Sequence, residues 1–86
     1  MKWKILVNID DVGNHYKFWA YAINLDGYPT GEVRYGRIGS IGVKTEYKFP
    51  YEVSGKISEK LNKGYWEADE EEMKLFPQKM LVLWEV

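Results

Sequence analysis

The stretch Lys17-Phe18-Trp19-Ala20-Tyr21-Ala22-Ile23-Asn24-Leu25 decides the fold of this chain. At strand periodicity it puts Trp19, Tyr21, Ile23 and Leu25 on one face and Phe18, Ala20, Ala22 and Asn24 on the other. Both faces are largely apolar, so the segment reads as a central strand covered on both sides. Its neighbours supply the pairing partners. Upstream, Trp3, Ile5, Val7 and Ile9 alternate with Lys4, Leu6 and Asn8, a second strand that ends in the turn Asp10-Asp11-Val12-Gly13-Asn14. Downstream, the turn residues Asp26 to Gly31 lead into a strand over Glu32 to Ile38, which stops at Gly39-Ser40-Ile41-Gly42. Val43, Thr45, Tyr47 and Phe49 then alternate with Lys44, Glu46 and Lys48, as expected of a strand with one buried and one wet face. The runs from 17 to 49 form a meander of antiparallel strands in this reading.

Pro50 opens a different period. Val53, Ile57 and Leu61 recur every four residues, and Glu52/Lys56 and Glu59/Lys63 have the spacing and order of favourable i,i+4 pairs. With Pro50 at its start and Gly64 just past its end, one helix is predicted over about residues 51–63. Gly55 inside it costs about 1 kcal/mol relative to Ala, which points to close packing against the sheet. Asp69 with Glu72 three residues on resembles a capping box, predicting a short helix over Glu70 to Leu75 that ends before Pro77. Met80 to Val86 is apolar enough for a closing strand. The fold class is therefore α+β: a small antiparallel sheet of four to five strands with one main helix packed on it.

Composition limits the function. Eighty-six residues make one domain, with room for a single core. There is no cysteine, which excludes disulfides and thiolate metal sites, and aromatics at 16% must supply the core instead. The lone His15 excludes any site needing two histidines. No signal-peptide core forms at the start, because Asn8 and Asp10-Asp11 interrupt the apolar run. The longest apolar stretch, Phe18 to Ile23, is far short of a membrane span, so a cytoplasmic protein with no membrane partner is expected.

The catalytic inventory is thin. His15 lies beside Asn14 with no sequence partner to make it a base or ligand, and Asp10-Asp11 reads as a solvated turn. Glu70-Glu71-Glu72 complements a helix dipole better than it makes a cation site. There is no GxxxxGK, GxSxG or HExxH. No enzymatic activity, metal or cofactor is expected.

The informative stretch is Val33-Arg34-Tyr35-Gly36-Arg37-Ile38-Gly39-Ser40-Ile41-Gly42. A glycine inside a strand weakens it unless the strand bulges or something approaches the backbone closely. An aromatic beside two guanidinium groups offers a stacking face and phosphate-binding forks. The structural alternative is that Tyr35 packs in the sheet, Gly36 makes room for a helix or ring, and both arginines are solvated.

Lys17-Phe18-Trp19, Asp26-Gly27, Val33 to Gly39, Lys44-Thr45 with Phe49, and Lys63-Gly64-Tyr65, in that order and spacing, resemble the WGR domain. This module is named for its Trp-Gly-Arg motif and occurs in poly(ADP-ribose) polymerases and bacterial molybdate-regulator-type proteins. The resemblance covers about residues 17–67, leaving an N-terminal strand and an acidic C-terminal extension over 68–86 within a single domain. It implies a small antiparallel sheet with one main helix, and a nucleic-acid-binding role. In the polymerases the aromatic and the Arg contact sugar and phosphate near a DNA break, and the domain relays that contact to a catalytic domain. The motif Trp falls on Tyr35, the Gly on Gly36 and the Arg on Arg37. Tyr keeps a smaller stacking face than Trp, the Gly-Gln usual in the following loop is Gly42-Val43, and the 86 residues include no counterpart of the catalytic domain.

Charge is segregated along the chain although the net is −1. Residues 33–65 hold Arg34, Arg37, Lys44, Lys48, Lys56, Lys60 and Lys63 against Glu46, Glu52 and Glu59, a local balance of +4. Residues 66–86 hold Lys74 and Lys79 against Glu67, Asp69, Glu70, Glu71, Glu72 and Glu85, a balance of −4. The tail either folds away from the basic region or covers it. The expected function is a non-enzymatic binding module for DNA or another nucleic acid, contacting backbone or end. Arg34 and Arg37 would hold phosphate, Tyr35 stack on sugar or base, Gly36 allow close approach, and Lys44 and Lys48 add peripheral charge. The alternative is a protein-interaction module using the same surface for an acidic partner.

Overall fold

A computed structural model of the protein describes residues 2–77. Its elements follow the sequence order: β1 (Lys2–Asp10), β2 (His15–Ile23), β3 (Pro29–Arg37), β4 (Val43–Glu46), α1 (Pro50–Asn62), β5 (Trp66–Glu67) and α2 (Glu70–Met73). The five strands form one antiparallel sheet in the order β4-β3-β2-β1-β5, which makes β2 the middle strand. The expected α+β architecture is the observed one.

Alternation along β2 sorts the core into two layers. Phe18, Ala20 and Ala22 share a face with Trp3, Ile5 and Val7 of β1, and Phe76 closes that layer, meeting Phe18 edge-on with ring centroids 5.5 Å apart. Trp19 lies on the opposite face with Leu6, Val33 and Val53, where α1 crosses the sheet and Tyr21, Tyr47, Ile57 and Tyr65 fill the margins. The two-sided apolar pattern of β2 thus has its physical origin in a helix on one side and the α2–Phe76 segment on the other.

Local capping holds both helices in place. At the end of α1, the Tyr65 N–H donates to the Lys60 carbonyl and the Gly64 N–H to the Leu61 carbonyl, with Gly64 at φ +97°. This is the paired bonding of a Schellman motif, which the Lys63-Gly64 signal anticipated. At the start of α2, Asp69 Oδ1 accepts from the Glu72 N–H at 2.8 Å while Glu72 Oε1 accepts from the Asp69 N–H at 3.0 Å, a complete capping box.

Several expectations are corrected. β2 starts two residues earlier than read and stops at Ile23, because Asn24 Oδ1 accepts from the Asp26 and Tyr28 backbone N–H groups and closes a turn that leaves Leu25 fully exposed. β4 ends at Glu46, with Val43 and Phe49 exposed where a buried face was expected, since an edge strand has no second neighbour to hold it. Gly55 sits on the open side of α1 with no atom within 4 Å of a Cβ built there, so close packing does not explain it. Lys56 pairs with Glu59 at 3.3 Å, so Glu59 bridges both Lys56 and Lys63. Leu61 of the every-four series is exposed past the edge of the core. The strand expected over Met80 to Val86 lies outside the described residues.

Candidate nucleic-acid interface

β3 carries the motif, and its pleat divides it. Tyr35 is opposite Trp19 in the register and projects toward the α1 side of the sheet, 43% exposed. Gly36 is opposite Phe18. A Cβ on Gly36 would lie 3.2 Å from Gly42 Cα and 3.2 Å from Ser40 Oγ. The close approach foreseen from its position in a strand is therefore the 39–42 loop folding back over it. Arg37 ends the strand opposite Lys17, with its guanidinium 5.4 Å from the centroid of the Tyr16 ring.

A groove of about 380 Å³ opens here. Its walls are Tyr35, Gly36 and Arg37 of β3, Tyr16, Lys17, Phe18 and Trp19 of β2, Asn14 of the preceding turn, and Lys60 and Tyr65 from the end of α1. Lys60 Nζ lies 5.3 Å from the centroid of the Tyr65 ring. Three cations and several aromatic faces therefore meet at one opening, the combination that suits a phosphate next to a sugar or base. Burial depresses the Lys60 pKa, helped by Lys63, Lys56 and Lys17, against an opposing pull from Glu59. Burial raises the Tyr65 pKa, and the hydrogen bond that the Tyr16 hydroxyl donates to Asp11 raises that of Tyr16, so both phenols stay neutral donors near pH 7.

The other sequence-predicted residues lie elsewhere. Arg34 projects to the opposite face, its guanidinium 5.8 Å from the centroid of the Trp3 ring. Lys44 is opposite Arg34 in the β3–β4 register and is drawn to Glu32 at 3.5 Å and Glu46 at 3.7 Å. Lys48 lies over the ring of Phe49, which stacks on Tyr51 at the start of α1. Of the six, Tyr35, Gly36 and Arg37 share the groove; Arg34, Lys44 and Lys48 do not line it.

Lys17 and Lys60, which do line it, were not singled out as site residues from the sequence. A strand register can reveal Lys17, which faces Arg37 once β2 and β3 are aligned. Lys60 gives a weaker signal: it lies in the last turn before a Gly-marked helix end, which returns the chain toward the sheet.

Four acids of the described tail are occupied away from this opening. Glu67 pairs with Lys4 at 3.2 Å, Asp69 and Glu72 cap α2, Glu72 also accepts from Trp66 Nε1 at 2.7 Å, and Glu71 pairs with Lys74. Among the described residues, no acid forms an ion pair with Arg37, Lys17 or Lys60. Among the same residues no group of three or more His, Asp or Glu side chains could hold a metal ion, and no helix is long and apolar enough to cross a membrane.

A sheet of this order with one capped helix over β3, and a cationic aromatic groove at the strand end, defines a class of small α+β module. The WGR domain family model matches residues 3–72, and the chain belongs to that family. The match extends beyond residues 17–67 to take in β1 from residue 3 and α2 as far as residue 72. No curated protein and no solved structure matches the chain.

Proposed function

We infer that this WGR domain is a nucleic-acid-binding module whose contact surface is the groove at the end of β3. The observation that carries the reading is the convergence of Arg37, Lys17 and Lys60 on an opening walled by Tyr35, Trp19 and Tyr65. Arg37 provides a planar fork for phosphate and Tyr35 a ring for a sugar or base, while Gly36 between them lets the 39–42 loop close against the strand. The role is binding, with no chemical step. A DNA backbone or end is the expected ligand.

With three phosphates neutralised, log K falls against log salt with a slope of about −3 for duplex and about −2 for single strand, roughly a twentyfold loss of duplex affinity for a threefold rise in salt. Fluorescence anisotropy with labelled 5′-phosphorylated duplex, blunt duplex and single strand measures this directly. Arg37→Ala is expected to weaken binding about tenfold and to flatten the slope by about 1. Absence of binding at low salt, or affinity that Arg37→Ala leaves unchanged, refutes the reading. Capture of an acidic protein partner that persists after nuclease treatment, with no binding to any of the three nucleic acids, assigns the same cations to protein docking.

A further inference from the structure

We propose that Lys60 is an acyl-acceptor site, whose amine takes an acyl group from an acyl phosphate held in the groove by its phosphate. The proposal does not depend on nucleic-acid binding. Two geometric observations single out this lysine. First, Lys4, Lys44, Lys56, Lys63 and Lys74 each lie within ion-pair distance of a carboxylate, whereas Lys60, like Lys17 and Lys48, has no such partner among the described residues. Second, Lys60 is half-buried and opens into the same groove as Lys17 and Arg37, the two cations available to a phosphate there. An acyl phosphate bound to them by its anionic end brings its carbonyl into the space that Lys60 lines, and proximity turns a bimolecular acylation into a local one.

The groups facing Lys60 decide whether it is reactive. On its own helix Glu59 favours the ammonium while Lys56 and Lys63 oppose it; from β2, Lys17 also opposes it. Arg37 of β3 shares the groove, and the Tyr65 ring face favours the cation. Burial is the largest influence and, with the surrounding lysines, it holds the amine below the ordinary lysine range, so a larger neutral fraction exists near neutral pH. In the step, the ammonium first gives a proton to water. The neutral amine then attacks the acyl carbon, a C–N bond forms, the C–O bond to phosphate breaks with its electron pair leaving on phosphate, and the second amine proton passes to that phosphate or to water. The products are an amide on Lys60 and inorganic phosphate, with no oxidant or reductant required.

The test incubates the whole chain with acetyl phosphate and follows each lysine by peptide mass spectrometry. Lys48 is the internal reference, being exposed and, among the described residues, without an ion pair. Lys60 is expected to acylate at least about threefold faster than Lys48. Excess inorganic phosphate, and separately Arg37→Gln, should bring the Lys60 rate down toward that of Lys48 while leaving Lys48 unchanged. A Lys60 rate no greater than that of Lys48 overturns the proposal. A preference that survives both phosphate competition and Arg37→Gln overturns the phosphate-held mechanism. Phosphate competition uses the unaltered protein, so the outcome does not depend on how the variant folds.

Discussion

Replacing Gly42 by Ala should destabilise the domain severely, while the same change at Gly55 should stabilise it. Gly42 has φ +81°, a conformation that costs an L-residue about 1–2 kcal/mol. Its added Cβ would fall 2.6 Å from Phe18 Cζ and 2.9 Å from the Tyr35 carbonyl oxygen. Phe18 is 1% exposed and wedged against Phe76, so its ring cannot swing into solvent, and Tyr35 is fixed by its pairing with Trp19. Overpacking of this kind adds about 1–3 kcal/mol, for a total of about 2–5 kcal/mol. For a domain of this size each kcal/mol moves Tm by about 4–8 °C, so a loss of about 3 kcal/mol corresponds to roughly 12–24 °C. Gly55 lies in the helix interior on the open face with nothing within 4 Å of the new methyl group. Ala there should stabilise by about 0.5–1 kcal/mol by removing backbone freedom from the unfolded chain. Thermal melts followed by circular dichroism, repeated as urea titrations, measure both. A Gly42→Ala Tm within about 3 °C of the parent, or a Gly55→Ala Tm below it, refutes the packing argument.

The two other predictions concern charge. Arg34→Ala should lower stability by about 1 kcal/mol through loss of its stack on Trp3, and leave nucleic-acid affinity within about twofold of the parent; a tenfold loss in the anisotropy titration would mean that this face takes part in binding. Glu59 has its pKa lowered, first by the hydrogen bond from Lys63 and then by that from Lys56. A folded-state pKa below the unfolded one gives stability that is present above the ordinary carboxylate value and lost as pH falls through the depressed one. The difference in urea midpoint between the parent and Glu59→Gln should therefore shrink on acidification through that window and shrink again in high salt, because the carboxylate is exposed. A difference that stays constant from neutral pH to about pH 3 contradicts the pairing.

Much of the fold could be read along the chain because its signals are local. The two-faced alternation of residues 17–23, the turn residues at 10–14 and 26–28, the Gly64 helix end and the Asp69–Glu72 cap all act within a few residues of themselves, and each appears in the structure, whereas Pro29, Thr30 and Gly31, read as part of the turn, already belong to β3. Element ends were read less well where a side chain intervened, as Asn24 does when it closes the turn that ends β2. At the motif, strand alternation separates Arg34 from Tyr35. Reading Arg-Tyr-Gly-Arg as one compositional unit passes over the pleat that puts its members on opposite faces.

By itself the sequence determined an α+β domain, a central β2, a basic middle and acidic end, and a strand whose glycine called for a bulge or a close neighbour. Only the tertiary structure decided which cations meet. Lys17 joins Arg37 because β2 and β3 pair in one particular register, and Lys60 joins them because α1 docks on the side of Trp19 and Val33. Pairing register and helix docking are set by burial of side chains far apart in the chain, and no local pattern encodes the result. The same non-local packing carries Glu67, Asp69, Glu71 and Glu72 to the β1–β5 edge and α2, where Lys4, Lys74 and the α2 cap hold them, and leaves Arg37, Lys17 and Lys60 together at the groove.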